Sequence, residues 1–182
     1  MLEDLSLMRT LPNMTVISTS DDIQTKWAVE EISKINGPVY LRLCRLATPV
    51  IYDEDTQFQI GKAYQFGEGI DATVIATGVV VSEALKAQEE LKKQGIDIRV
   101  IDMHTISPID RQAIIEAAQP GRIVVAQDHN IIGGLVLRNF NCKVDVHNPE
   151  IMIHIEIRND GTYIYLNEIK GSGGYPVGIQ GK

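Results

Sequence analysis

At 182 residues, 44% of them apolar and 23% charged, the chain has the make-up of one ordinary globular domain or two small ones, which excludes fibrous and extensively disordered classes. Its net charge of −7 argues against a nucleic-acid protein as a whole, because such proteins draw most of their affinity from neutralising phosphates. No apolar run approaches the roughly 20 residues of a spanning helix, no basic segment followed by an apolar stretch opens the chain, and Cys44 and Cys142 make no disulfide framework, so a soluble, cytoplasmic protein without a membrane partner is expected.

The charge is unevenly divided. Residues 1–135 carry 12 Lys and Arg against 19 Asp and Glu, whereas residues 136–182 carry 5 against 5. The shift near residue 136 is a first sign that two unlike segments are joined.

Residues 14–43 read as strand, helix, strand. Met14 to Ile17 is a short apolar run, Ser18-Thr19-Ser20 offer helix caps, and Asp21 and Asp22 follow in the first turn, where negative charge suits the macrodipole. Ile23, Trp27, Ala28, Ile32 and Ile35 recur at helical spacing and predict one buried stripe. Gly37-Pro38 ends that helix, and Val39-Tyr40-Leu41 opens a strand that runs into Arg42-Leu43-Cys44-Arg45. Residues 46–57, with Pro49 and the acidic run Asp53-Glu54-Asp55, show no period and read as a linker.

From residue 73 an α/β alternation begins. Thr73 to Thr77 is a buried-type strand left through Gly78, Ser82 to Gln94 is helical with Gly95 in the C-terminal capping position, and Ile96 to Ile101 is the next strand. Ser107-Pro108-Ile109-Asp110 reads as a capping box with proline at the first helical position. A helix carrying Ile114, Ile115 and Ala118 follows, Pro120-Gly121 breaks it, and Ile123 to Ala126 is a third strand. Strands at this spacing with helices between them imply right-handed crossovers and a parallel sheet.

The tail follows another period. Ile151, Ile153, Ile155 and Ile157 alternate with Met152, His154, Glu156 and Arg158, Asn159-Asp160-Gly161 is a hairpin turn signal, and Thr162 to Leu166 continues as a second strand. The glycine-rich stretch 171–182 has no core-forming pattern and reads as a linker.

No local motif names an enzyme: the chain lacks a phosphate-binding P-loop, a dinucleotide fingerprint, a nucleophile elbow and metal-ligand histidine spacing. The histidines, at 104, 129, 147 and 154, are scattered. Two places can still carry chemistry. Arg42 and Arg45 lie at the carboxyl end of a predicted strand, where ligands of α/β units bind, and a guanidinium suits phosphate through two charge-assisted hydrogen bonds; pairing with surface carboxylates is the alternative. Asp128-His129-Asn130 with Gly133-Gly134 follows another strand end, where free amides would bind an anion or simply form a strand-to-helix turn.

Several blocks in fixed order resemble the C-terminal section, or split C-terminal subunit, of transketolases. They are Glu3-Asp4-Leu5, Met8-Arg9, Leu11-Pro12-Asn13-Met14, Gly37 to Leu43, Arg45 to Ile51, Gly61-Lys62-Ala63, Ala76-Thr77-Gly78, His104 to Asp110, and Asp128 to Leu135. The resemblance covers residues 1–135. It implies a partial pyrimidine-binding domain over 1–52 and a parallel-sheet C-terminal-type domain over 58–135. It also implies transfer of a two-carbon ketol unit between sugar phosphates, with thiamine diphosphate and Mg2+ as cofactors of the intact assembly. Arg45 falls on the family's arginine for the substrate phosphate, and His129, Gly133 and Gly134 form the candidate anion-binding turn.

The same resemblance places the family's catalytic glutamate, its substrate-facing histidine and its diphosphate and metal site in regions that precede Glu3. No catalytic, cofactor-binding or metal-ligating residue is therefore expected in this chain. It is expected to be inactive alone, to need an N-terminal subunit, and to self-associate through the uncovered edge and apolar surface of its half domain.

From about Lys143 a second resemblance begins, to the end of the THUMP domain of tRNA 4-thiouridine synthase and its following linker. It rests on Val144 to Glu150, Ile155 to Arg158, Gly161 to Tyr165, and Lys170 through Gly178. It implies a THUMP-like β-hairpin over 143–170 and a linker over 171–182. THUMP domains bind RNA, chiefly the acceptor end of tRNA, although this tail lacks a basic footprint. Its presence leaves two alternatives beside the enzyme part: an RNA-binding module, or a chimera of two segments without joint function.

Overall fold

The structure, a computed structural model, describes residues 4–45, 47–119 and 121–127 in full, and the backbone of 154–158 and 161–165. In chain order the elements are α1 (Asp4–Thr10), β1 (Thr15–Ser18), α2 (Asp22–Ile32), β2 (Val39–Arg42), β3 (Tyr64–Phe66), β4 (Ala72–Ala76), α3 (Val80–Lys93), β5 (Ile98–Asp102), β6 (Thr105–Ser107), α4 (Arg111–Ala117), β7 (Ile123–Ala126), β8 (His154–Arg158) and β9 (Gly161–Tyr165). They fall into two units, Met1–Lys143 and Val144–Lys182.

The first unit is mixed α/β with two sheets. Val16 and Ile17 on β1 are wholly buried, as a central strand requires, and β1 pairs in parallel with β2 through the α2 crossover, from Thr15↔Val39 to Ser18↔Arg42. The Asp21 carboxylate accepts from the Gln24 amide at 2.8 Å and fixes where α2 begins. The other edge of β1 is taken by β6, antiparallel and much later in the chain. The second sheet has the order β3-β5-β4-β7, with β5, β4 and β7 parallel and β3 antiparallel on the edge. Between β4 and β5, α3 buries Val80, Val81 and Ala84, carries Lys92 and Lys93 in its last turn, and is followed by Gly95 at φ 80°.

One apolar cluster serves both sheets. Leu5, Val16, Ile75, Ile101, Met103, Ile106, Ile114 and Ala117 pack together, drawn from α1, β1, β4, the β5–β6 stretch and α4. The α/β class and the parallel pairings are those read from the sequence, with two antiparallel edge strands, β3 and β6, added.

Three local expectations change. The supposed capping box is not one, because Ser107 is the last residue of β6 and pairs with Val16. The residue before proline is in any case pushed away from helical backbone, so the helix starts later: Asp110 is the cap and accepts from the Gln112 and Ala113 amides at 3.1 Å each. The helical stripe of α2 is only partly inward: Ala28 is buried with Gln24, while Ile23, Trp27 and Ile32 are half-buried. And the segment read as a linker is pinned, since Tyr52 is 5% exposed and its ring meets those of Phe58, Tyr64 and Phe66 with centroids 4.7, 5.0 and 5.2 Å away.

In the second unit β8 and β9 form an antiparallel hairpin registered from His154↔Tyr165 to Arg158↔Gly161. That register leaves residues 159 and 160 between the strands, as the turn signal requires. Among the described residues no helix is long and apolar enough to cross a membrane.

Candidate functional site

A cleft opens at the carboxyl ends of β1 and β2, facing the turn from β4 into α3. It encloses about 410 Å³ and is lined by Asp4, Ser18, Tyr40, Arg42, Arg45 and Gly78, among others. Such a position, outside strand ends of an α/β sheet, is where ligands bind in this class of fold.

Side chains on two elements set its floor. Tyr40 and Arg42 share a face of β2 because they are two residues apart, and that face meets the start of α1. The Tyr40 hydroxyl donates to Asp4 Oδ2 at 2.7 Å, and Arg42 Nε lies 3.6 Å from the same oxygen. Burial alone would raise the Asp4 carboxyl, but the Tyr40 hydroxyl, the Arg42 charge and nearby backbone amides together hold it below its ordinary value. The hydrogen bond to Asp4, with burial, raises the Tyr40 phenol. Arg42 is thus committed to a carboxylate, the alternative foreseen for this pair of arginines.

Arg45 is placed differently. It lies past the end of β2, exposed, on the rim of the cleft, and no ion pair or hydrogen bond among the described residues engages it. Opposite stands the start of α3, whose cap residue Val79 offers no side-chain hydrogen bond. Gly78 at φ 62° brings the backbone so close to β1 that a Cβ there would sit 2.9 Å from Ser18 Oγ. A helix start without a side-chain cap and a solvated guanidinium make the mouth of the cleft receptive to an anion. The other sequence-derived candidates, His129, Gly133 and Gly134, lie outside the described residues.

A second polar cluster is buried at the end of β5. Asp102, at the end of β5, is fully buried. Its Oδ2 accepts from Ser20 Oγ at 3.1 Å, Gln24 Nε2 at 2.8 Å and the Tyr52 hydroxyl at 2.5 Å, while its Oδ1 has no partner. Burial raises its pKa to about 6 against the lowering effect of those three donors. One residue beyond β5, His104 is also buried, its Nδ1 3.0 Å from Thr105 Oγ1 and its ring edge-on to Trp27 at 5.2 Å. Burial lowers its pKa to about 4, opposed only by the charge of Asp110.

Sequence reasoning missed this cluster and the Asp4–Tyr40–Arg42 group. The signals were slight: a lone acid closing the strand pattern Ile98 to Ile101, and a lone tyrosine in an acidic linker. As for cofactors, no group of three or more His, Cys, Asp or Glu among the described residues could hold a metal ion.

The transketolase C-terminal domain model matches residues 61–138, and the THUMP domain model matches residues 126–167. Over 135 residues the chain is 43% identical to the 6-deoxy-6-sulfo-D-fructose transketolase subunit SqwH of Clostridium sp. (strain MSTE9), covering 74% of this chain and 42% of that protein. Over 137 residues it is 44% identical to a putative transketolase C-terminal section of Methanocaldococcus jannaschii, covering 74% of this chain and 43% of that one. A split-gene transketolase, solved as an inactive beta4 tetramer, superposes with a TM-score of 0.72 at 39% identity over 75% of this chain and 47% of its own. The chain therefore spans less than half the length of these relatives. Its first three quarters resemble a transketolase C-terminal section in sequence and fold, and the THUMP resemblance overlaps the end of that section.

Proposed function

We propose, from that resemblance, that the chain is the C-terminal part of a transketolase-like transferase moving a two-carbon ketol unit between sugar phosphates, with Arg45 binding the substrate phosphate. The observation that carries this reading is Arg45 itself, a solvated guanidinium on the rim of a strand-end cleft in the section that resembles transketolases. Its planar fork makes paired charge-assisted hydrogen bonds to phosphate oxygens. The turn bearing His129, Gly133 and Gly134 is a second proposed anion contact, through backbone amides.

Thiamine diphosphate and Mg2+ are assigned to an N-terminal partner subunit, as the transketolase resemblance implies. Two of the relatives are named as a subunit and as a C-terminal section, which supports a divided enzyme. Self-association fits the exposed Leu7, Leu11, Val29 and Val50. It also fits the relative solved as a tetramer of one kind of chain.

The test is titration of the full chain with a pentose 5-phosphate, followed by 31P NMR or calorimetry. Binding by the native chain that falls at least ~10-fold in Arg45→Ala is expected, on the scale of a lost charge-assisted hydrogen bond; equal binding by both overturns the phosphate role. Purified chain with thiamine diphosphate, Mg2+ and pentose phosphates is expected to show no ketol transfer. Transfer by that mixture overturns the need for a partner.

The THUMP match over residues 126–167 favours a second reading, an RNA-contacting hairpin. A tRNA whose gel mobility at low salt is unchanged by the chain removes it.

A further inference from the structure

The buried carboxyl of Asp102 has two unlike oxygens. Oδ2 collects three donors, from Ser20, Gln24 and Tyr52, whereas Oδ1 is sealed from solvent and has no partner among the described residues. An ionised carboxylate spreads its charge over both oxygens, so in the closed fold part of that charge meets no donor. A proton on Oδ1 removes the mismatch and leaves Oδ2 as a neutral acceptor.

The surroundings give the charge little other help. Among the described residues no lysine or arginine pairs with Asp102, and the charge of Asp21, a second buried carboxylate, opposes its ionisation. Its other titratable neighbours are Tyr52, which donates to it, Tyr64, opposite it in register on β3, and His104, two residues along, whose ring packs on Trp27 and Phe58. All three donors belong to segments outside the second sheet: Ser20 follows β1, Gln24 lies in the first turn of α2, and Tyr52 precedes β3. Side chains also guard their backbone. The Ser20 amide donates to Gln24 Oε1 at 2.9 Å, so its acceptor is a side chain whose other end rests on Asp102. The Tyr52 amide donates to Asp21 Oδ2 at 3.1 Å while its hydroxyl donates to Asp102.

We propose that Asp102 is a proton-operated latch between the start of α2 and the second sheet: with a proton on Oδ1 its carboxyl keeps Ser20, Gln24 and Tyr52 against β5, and loss of that proton to solvent favours a local opening in which water reaches the carboxylate. Opening returns the group to its ordinary proton affinity, so the ionised carboxyl favours the open form and the protonated one the closed form. Closure holds Asp102 at about 6, against 3.8 when solvated, so the latch is tightest below the lower value and loosens as pH rises to the upper one. No ligand takes part, and the latch stands whether or not Arg45 binds phosphate.

Amide hydrogen exchange of the full chain, divided at each pH by the intrinsic rate, reads the opening at Ser20 and Tyr52. Opening is expected to increase about 20-fold from pH 4.5 to 6.5 and to level off above that. The amides that join β4 to β5 are expected to show no such rise, because the opening is local. Asp102→Asn, neutral at every pH, is expected to give a flat profile at Ser20 and Tyr52. Tyr52→Phe removes a donor that favours the ionised form, so at Ser20 the levelling point is expected to move above pH 6.5. A flat profile in the native chain overturns the latch. So does an equal rise in Asp102→Asn, or a rise shared by β4 and β5, which reports unfolding of the whole. Should Asp102→Asn fail to fold, the native profile and that of Tyr52→Phe decide the matter.

Discussion

Asp102→Asn and His104→Asn should tilt the pH dependence of stability in opposite directions. Burial carries the Asp102 carboxyl from 3.8 up to about 6, so between these values the folded chain holds a proton that the unfolded chain has lost. Its contribution to stability falls as pH rises. Burial carries the His104 imidazole from 6.5 down to about 4, so over nearly the same range the unfolded chain binds a proton that the folded one refuses. Its contribution rises with pH. Each slope approaches about 1.4 kcal/mol per pH unit, and in the native chain the two nearly cancel. Removing Asp102 exposes the histidine: relative to the native chain, unfolding free energy of Asp102→Asn should increase by about 1.5 kcal/mol from pH 4.5 to 6.0. Removing His104 should decrease it by about the same amount. Urea unfolding followed by the emission of Trp27, the one tryptophan of the sequence, reads both, and comparison with the native chain at each pH removes the contribution of the other titrating groups. Parallel pH curves for the three chains would refute the reasoning, because neither group would then change its proton affinity on folding.

Gly78→Ala should destabilise the chain by about 1–3 kcal/mol in urea, since the residue holds φ 62° and the added Cβ would meet Ser18 Oγ at 2.9 Å; a loss below about 0.5 kcal/mol would contradict that close approach. Ile75→Ala, at a side chain with no exposed surface in the shared core, should cost about 2–5 kcal/mol. A smaller loss would mean that the cluster is not packed as described.

The parts legible in the sequence are those whose reasons are local. β1, β2, β4, β5 and β7 each come from a short, mainly apolar run, and the turn at Gly95 comes from its neighbours in the chain, whereas the cap of α2 falls on Asp21, just past the Ser18-Thr19-Ser20 expected to supply it. The strands that escaped are β3 and β6, three residues each, too short for alternation to show. They exist because β5 and β1 offer them an edge. Ser107 misled for a related reason: a serine three residues ahead of an acid looks like a helix start, yet pairing with Val16 claims it for a sheet. The place of Arg45 past a strand end was legible because a strand end is a place that sequence alone defines. Tyr52 and Asp102 were not, since 50 residues separate them and neither has a sequence neighbour that reveals the other.

Asp102 is a costly way to join two sheets, and its bonding shows why an apolar residue would not serve. Three buried donors, from Ser20, Gln24 and Tyr52, converge on one oxygen. An apolar side chain would leave all three unsatisfied at about 1–3 kcal/mol each, more than the desolvation it would relieve. Those donors come from the turn after β1, from α2 and from the stretch that follows Arg45, whereas the acceptor comes from β5. The turn after β1 and the start of α2 are thereby tied to a residue of the other sheet, and β6 repeats the arrangement by closing the edge of β1 from beyond β5. The residues that carry Arg45 are for this reason not separable from those that follow: without residues 58–107, β1 loses an edge strand and part of its core, and Tyr52 loses its hydroxyl's partner and its aromatic neighbours.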